Sequence, residues 1–210
     1  MGDNENRRVY EARVVKNFKE LLDYSCKNYA SNIAYKYKRD YTSKNIEYIE
    51  KTYEQVGKDV KSLATEFLDM GLEGKRIVLI GNNRYEWCLS YFAITTGNMI
   101  VVPIDKALPD NEIENLVKRS EAEVMIFDKK YLEVAKKLQE KEDTNLKTLI
   151  CMDKINDKEV INFEELLKKG EKLVSNGDER YNKIKIDNEK MSIMLFTSGT
   201  TNEAKAVMLS

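Results

Sequence analysis

The residues best suited to chemistry stand close to the end of the chain. Thr197, Ser198, Gly199, Thr200 and Thr201 form a run of small hydroxyl residues around one glycine, followed by Asn202, Glu203, Ala204 and Lys205. Apolar runs at 191–196 and 206–209 flank the loop and read as strands. Glycine lets the main chain turn with positive φ, which gathers neighbouring N–H groups into one concavity. Hydroxyls add short donors, and Lys205 adds a mobile point charge. Those parts suit a polyphosphate. The plain alternative is a Ser/Thr-rich hairpin with a solvated lysine. A Walker A loop requires G-x-x-x-x-G-K-[ST] leading into a helix. Here Gly199 and Lys205 have that spacing, but Ala204 replaces the second glycine, Ala206 replaces the metal-binding hydroxyl, and a strand follows. The Walker reading fails.

A loop of this kind needs a scaffold, and 210 residues suffice for a sizeable core. Charged residues make up 34% of the chain, above the roughly 25% of typical soluble proteins. The signs nearly cancel, 35 basic against 36 acidic, and no basic block argues for nucleic acid or an anionic membrane. No apolar run reaches the length of about 18 residues that spans a bilayer, and the polar start MGDNENRR is no signal peptide. Cys26, Cys88 and Cys151 lack metal-ligand spacing and read as reduced thiols of a cytoplasmic protein. The absence of histidine excludes His-based triads and the commonest metal ligand within this stretch.

Periodicity supplies the elements. Val14, Phe18, Leu21, Leu22, Ser25 and Tyr29 share a helical face, and 33–38 with 46–53 read as a hairpin around the polar 39–45. Val56, Val60, Leu63, Ala64, Phe67 and Leu68 make the clearest helical stripe, with Gly71 as its stop. Strand and helix then alternate. Strands are expected at 76–80, 100–104, 124–127 and 148–152, with helices carrying Trp87 to Ile94, at 110–120, at 131–138 and at 162–175. Asn83 is the expected cap of the helix carrying Trp87 to Ile94, with Glu86 three residues on as in a capping box, and Trp87 is an expected core anchor. Pro103 argues for a strand end or an unpaired N–H. The polar stretch 175–190 reads as a connecting loop. Strands joined by single helices imply an α/β fold, a parallel sheet with right-handed crossovers and helices on both faces, preceded by a helix and β-hairpin. The expected organisation is a helix and hairpin at 1–52, the parallel-sheet portion at 53–175, a polar connector at 176–190 and the strand–loop–strand at 191–210.

Residues 196–207, Phe-Thr-Ser-Gly-Thr-Thr-x-x-x-Lys-x-Val, resemble the phosphate loop of the AMP-forming acyl-adenylate (AMP-binding) superfamily. That superfamily includes acyl-CoA synthetases, luciferases and the adenylation domains of peptide synthetases. It usually has glycine, proline and glycine where this chain has Asn202, Ala204 and Ala206. The resemblance extends to Thr52-Tyr53 with the striped helix and Gly71, to 76–87 with its Asn-Arg-Tyr-Glu-Trp ending, to Gly97 and 101–105, and to 120–124. The wording of these blocks, with Asp105 after the proline, is most similar to bacterial long-chain fatty acid–CoA ligases.

The resemblance implies the N-terminal part of the acetyl-CoA synthetase-like fold, and a two-step reaction in a longer parent. A carboxylate attacks the α-phosphate of MgATP, giving an acyl-adenylate and pyrophosphate, and the thiol of coenzyme A then displaces AMP. ATP, Mg2+, coenzyme A and a fatty acid are the implied small-molecule partners. Thr197, Ser198, Gly199, Thr200, Thr201, Asn202 and Lys205 are the implied ATP phosphate contacts, with Thr200 or Thr201 the hydroxyl that meets Mg2+. No residue of this stretch is singled out as catalytic. The 210-residue chain is expected to be an N-terminal fragment that does not turn over by itself, from an acid–thiol ligase that is cytoplasmic or peripheral at a membrane. The alternatives are an adenylating enzyme for a short-chain, aromatic or amino acid, and a non-catalytic relative acting as a binding module. Acyl-chain length and oligomeric state stay open.

Overall fold

The computed structural model describes residues 13–38, 47–197 and 204–210. The expected turn at 39–45 and the hydroxyl loop at 198–203 lie outside the described residues. The first helix, α1 (Phe18–Asn28), starts where the Asn17 side chain accepts the Glu20 N–H at 2.9 Å. It begins later than the stripe from Val14 suggested. Val14 is 87% exposed ahead of it, because α1 buries only Leu22 and packs edge-on through Phe18 against Tyr91 and Phe92. Two strands, β1 (Ile33–Lys38) and β2 (Tyr48–Thr52), pair antiparallel as a separate ribbon, with Lys36 and Glu50 joined at 2.7 Å across it. At Thr52 the chain turns into α2 (Tyr53–Asp69) through a reciprocal box. Thr52 Oγ1 accepts the Gln55 N–H, and Gln55 Oε1 accepts the Thr52 N–H. Gly71, at φ 72°, closes this helix as expected.

The main sheet contains β3 (Arg76–Ile80), β4 (Ile100–Pro103), β5 (Val124–Phe127), β6 (Thr148–Cys151), β7 (Ile161–Asn162), β8 (Ile193–Thr197) and β9 (Lys205–Leu209), in the order β7-β6-β5-β3-β4-β8-β9. All neighbours run parallel except the β8–β9 pair. The joining helices are α3 (Tyr85–Thr96), α4 (Asp110–Ser120), α5 (Leu132–Gln139) and α6 (Phe163–Ser175). Successive strand residues point to opposite faces, so each strand feeds two cores. Ile77, Leu79, Val101, Val124, Ile126 and Ile150 pack with α2, α3 and α6. Val78, Ile80, Val102, Met125, Phe127 and Leu149 pack with α4 and α5. The α/β fold with helices on both faces is therefore the one the periodicity implied.

Three expectations need correction. Helix α3 is capped by Arg84, in extended backbone with no side-chain cap bond, while Asn83 is exposed and caps nothing. Trp87 is only partly buried, stacked on Tyr91 with ring centroids 5.6 Å apart, because its side of α3 faces the rim of the core. The stretch 175–190 is no bare loop. It contains the short helix α7 (Arg180–Lys183), whose Tyr181 is 4% exposed and donates its hydroxyl to Thr96 Oγ1 at 3.1 Å. Burial pushes that phenol up to about 12. This anchor lashes the strap between α6 and β8 onto the helical face.

Helices α2 and α6 make the closest helix contact. A Cβ at Gly170 would lie 2.0 Å from the Ser62 carbonyl oxygen, backbone that cannot give way. Gly170→Ala is therefore expected to lower stability by about 3 kcal/mol, the upper end for an overpacked site, read as a fall in the urea midpoint. Tyr181→Phe should cost only about 1 kcal/mol, since Thr96 keeps its own bond to Phe92 O at 2.6 Å, whereas Tyr181→Ala should cost about 3–5 kcal/mol through the void it leaves. Equal losses for the two Tyr181 variants would show that the ring carries no packing energy.

Candidate functional site

The parallel strands end together on one edge of the sheet, the edge at which open α/β sheets place ligands. The hydroxyl loop leaves from the end of β8 on this edge. Thr197, the last residue of β8, is paired in register with Lys205, the first of β9. The antiparallel arms thus bring the start and the end of the expected phosphate contacts side by side. Both residues are exposed, and no carboxylate among the described residues pairs with Lys205. Ser198, Gly199, Thr200, Thr201 and Asn202 lie outside the described residues. Of the three departures from the family's usual loop, Ala206 sits in β9 opposite Phe196 without positive φ, so that position asks for no glycine.

The second arm of this hairpin is apolar in sequence, yet every residue of β9 is exposed, with Met208 at 67%. The reason is topological: among the described residues β9 is the edge strand of the sheet and pairs only with β8. Strand β8 is buried at its start, through Ile193 and Met194, and opens toward the loop. Near its end the Arg119 guanidinium lies 5.5 Å from the Phe196 ring centroid.

Sequence reasoning missed a polar knot on the same edge. The Arg84 guanidinium meets three carboxylates: Glu86 at 2.7 Å, Asp153 at 2.7 Å and Asp128 at 3.3 Å. It also donates to Met152 O at 3.2 Å. Asp128 is 4% exposed and accepts both the Asn82 N–H, at 2.6 Å, and the Asn82 side-chain amide, at 2.8 Å. Asn82 in turn accepts the Lys106 ammonium at 3.0 Å. A Cβ at Gly81 would sit 3.0 Å from Asp128 and 2.6 Å from the Met152 methyl, so the turn after β3 presses against the ends of β5 and β6. Burial disfavours the charge of Arg84, but its bonds to Glu86 and Asp153 outweigh that and push its pKa up. Burial likewise works against the Asp153 carboxylate, yet the Lys129 N–H and Arg84 together hold it below its ordinary value. The knot ties the ends of β3, β4, β5 and β6 into one rigid margin.

Beside the knot a cavity of about 360 Å³ opens over Tyr37, Tyr85, Leu89, Met152 and Phe163. Two of the lysines on its rim are paired, Lys51 with Asp59 and Lys168 with Glu164. Cys26, Cys88 and Cys151 are free thiols, each with its pKa raised chiefly by burial, so none is an activated nucleophile. Among the described residues no helix is long and apolar enough to cross a membrane.

Comparison with known proteins accords with this arrangement. The sequence pattern of the family described as AMP-binding enzyme matches residues 22–210. Long-chain-fatty-acid–CoA ligase 5 of Rattus norvegicus is 30% identical over 175 residues, which cover 76% of this chain and 25% of that protein. The chain thus spans about a quarter of the length of the curated relatives it matches. The crystal structure of a long-chain-fatty-acid-CoA ligase from Archaeoglobus fulgidus superposes with a TM-score of 0.75 at 18% identity, covering 95% of this chain and 38% of that one. An anthranilate CoA ligase in complex with anthranoyl-AMP gives 0.73, also at 18% identity, covering 91% of this chain and 34% of that one. With the family pattern running through the sheet, the knot and the hairpin alike, the chain belongs to the AMP-binding enzyme family.

Proposed function

We propose that this chain is the phosphate-loop portion of an ATP-dependent, AMP-forming ligase that joins a long-chain fatty acid to coenzyme A. The observation that carries the reading is the hairpin itself. It sets Thr197 opposite Lys205 at the carboxyl edge of a parallel sheet, with the hydroxyl run between them. The names of the curated relatives support the fatty acid as substrate and coenzyme A as acceptor.

In this reading Thr197, Ser198, Gly199, Thr200, Thr201 and Asn202 surround the β- and γ-phosphates through hydroxyls and main-chain N–H groups. Lys205 supplies the ammonium. A fatty carboxylate attacks the α-phosphate, and negative charge builds on the departing pyrophosphate, where oriented donors and a cation stabilise it most. Thr200 or Thr201 would hold Mg2+ through a hydroxyl oxygen, a hard donor suited to it, and the ion when bound would neutralise part of that charge. The rigid margin tied by Arg84 and Asp128 gives the edge a fixed wall. Asn202 and Ala204, in place of the family's usual residues, favour the second reading, a non-catalytic relative acting as a binding module.

Titration of the chain with MgATP tests the site. Lys205→Ala is expected to weaken binding about tenfold, roughly 1.4 kcal/mol, without moving the melting temperature, since Lys205 is exposed. Unchanged affinity in that variant, or no binding at millimolar nucleotide, would overturn the phosphate reading. Acid-dependent AMP formation is expected from a longer chain that continues past this hairpin and not from the 210 residues alone.

A further inference from the structure

The main-chain bonds of β4 alternate between its two neighbours. Ile100 N donates to Lys75 O at 2.9 Å and Ile104 N to Leu79 O at 3.0 Å, both on the β3 side. Val101 N donates to Ser192 O at 3.0 Å, on the β8 side. The next position that would face β8 is 103, a proline, which has no N–H to give. The register between β4 and β8 accordingly consists of one pair, Val101 with Ile193. Beyond it, among the described residues, β8 is in register only with β9, through the four pairs from Met194–Met208 out to Thr197–Lys205.

Packing follows the same gradient. Ile193 and Met194 are 7% and 5% exposed, Leu195 and Phe196 are half-buried, and Thr197 and all of β9 are exposed. At the inner end the ribbon is tied once more, by the strap that Tyr181 anchors, while Ser192 N to Leu209 O at 2.8 Å joins its two arms. Toward the outer end no further β4 residue is in register with β8 among the described residues, and side-chain contacts meet the rest of the molecule, Leu195 on one core, Phe196 beside Arg119 and Ala204 on the other. Contacts of that kind slide, whereas a main-chain rung fixes register.

We propose that Pro103 is a positioning residue: by withholding one rung it lets β8 and β9 pivot as a single ribbon about the Val101–Ser192 bond. The margin tied by Arg84 stays still while the ribbon moves. The consequence for nucleotide rests on the phosphate reading above; the pivot itself does not.

Amide hydrogen exchange on the 15N-labelled chain decides the matter. In the wild type without ligand, amides of β8 beyond Met194 and their β9 partners are expected to exchange together, at least tenfold faster than Val101. In Pro103→Val the new amide at 103 should be protected, and exchange in outer β8 should slow about three- to tenfold. Pro109→Ala, at the only other proline, should leave β8 unchanged and serves as the folding control. An amide at 103 that exchanges as freely as coil would overturn the pivot, as would wild-type outer β8 as protected as Val101. Adding MgATP should slow both arms of the ribbon in the wild type and leave Val102 and Ile104 untouched. If nucleotide changes neither arm, the phosphate reading fails, and the ligand-free comparison still judges the pivot.

Discussion

The structure rests on a hydrophobic constraint at its centre. Strands β3 and β5 present apolar side chains to both faces of the sheet, so neither face can meet water. Residues of alternate parity must therefore find separate covers, and the chain provides them as α2, α3 and α6 on one side and α4 and α5 on the other. Once both faces are closed, the only places left for polar work are the strand ends. That is where the carboxylates, the guanidinium and the hydroxyl-bearing hairpin gather.

Much of this was legible in the chain. A strand buried on both faces is a short, nearly unbroken apolar run, and 76–80 and 124–127 were placed at their observed bounds. Helices with one buried stripe, such as α2 and α4, are equally plain. Short or singly anchored elements were not. The two residues of β7 give no period, and α7 hides one buried tyrosine in a polar stretch. The box at Thr52 and Gln55 was a readable signal. Reading Asn83 and Glu86 as such a box instead misassigned Glu86, whose carboxylate belongs to Arg84.

The candidate site divides in the same way. A run of small hydroxyls with one glycine and one lysine is local in sequence and could be seen there. The knot could not, since Arg84 finds Asp128 and Asp153 at separations of 44 and 69 residues that no motif encodes. Nor does sequence say which neighbour a strand residue's N–H faces. Pro103 read as a strand end, and so it is; that its missing donor falls on the β8 side emerges only from the bonds of Ile100, Val101 and Ile104.

The knot also sets how this molecule should meet acid. Asp153 ionises more readily in the folded chain than in an open one, so its contribution is complete above the ordinary aspartate range and drains away as pH falls through its lowered value. Glu66, buried on α2, has its pKa raised chiefly by burial, so its protonation does not loosen the core in the same way. Acidification through that range should therefore loosen the turns around Arg84, leaving a sheet still sandwiched between its helices but with a frayed rim.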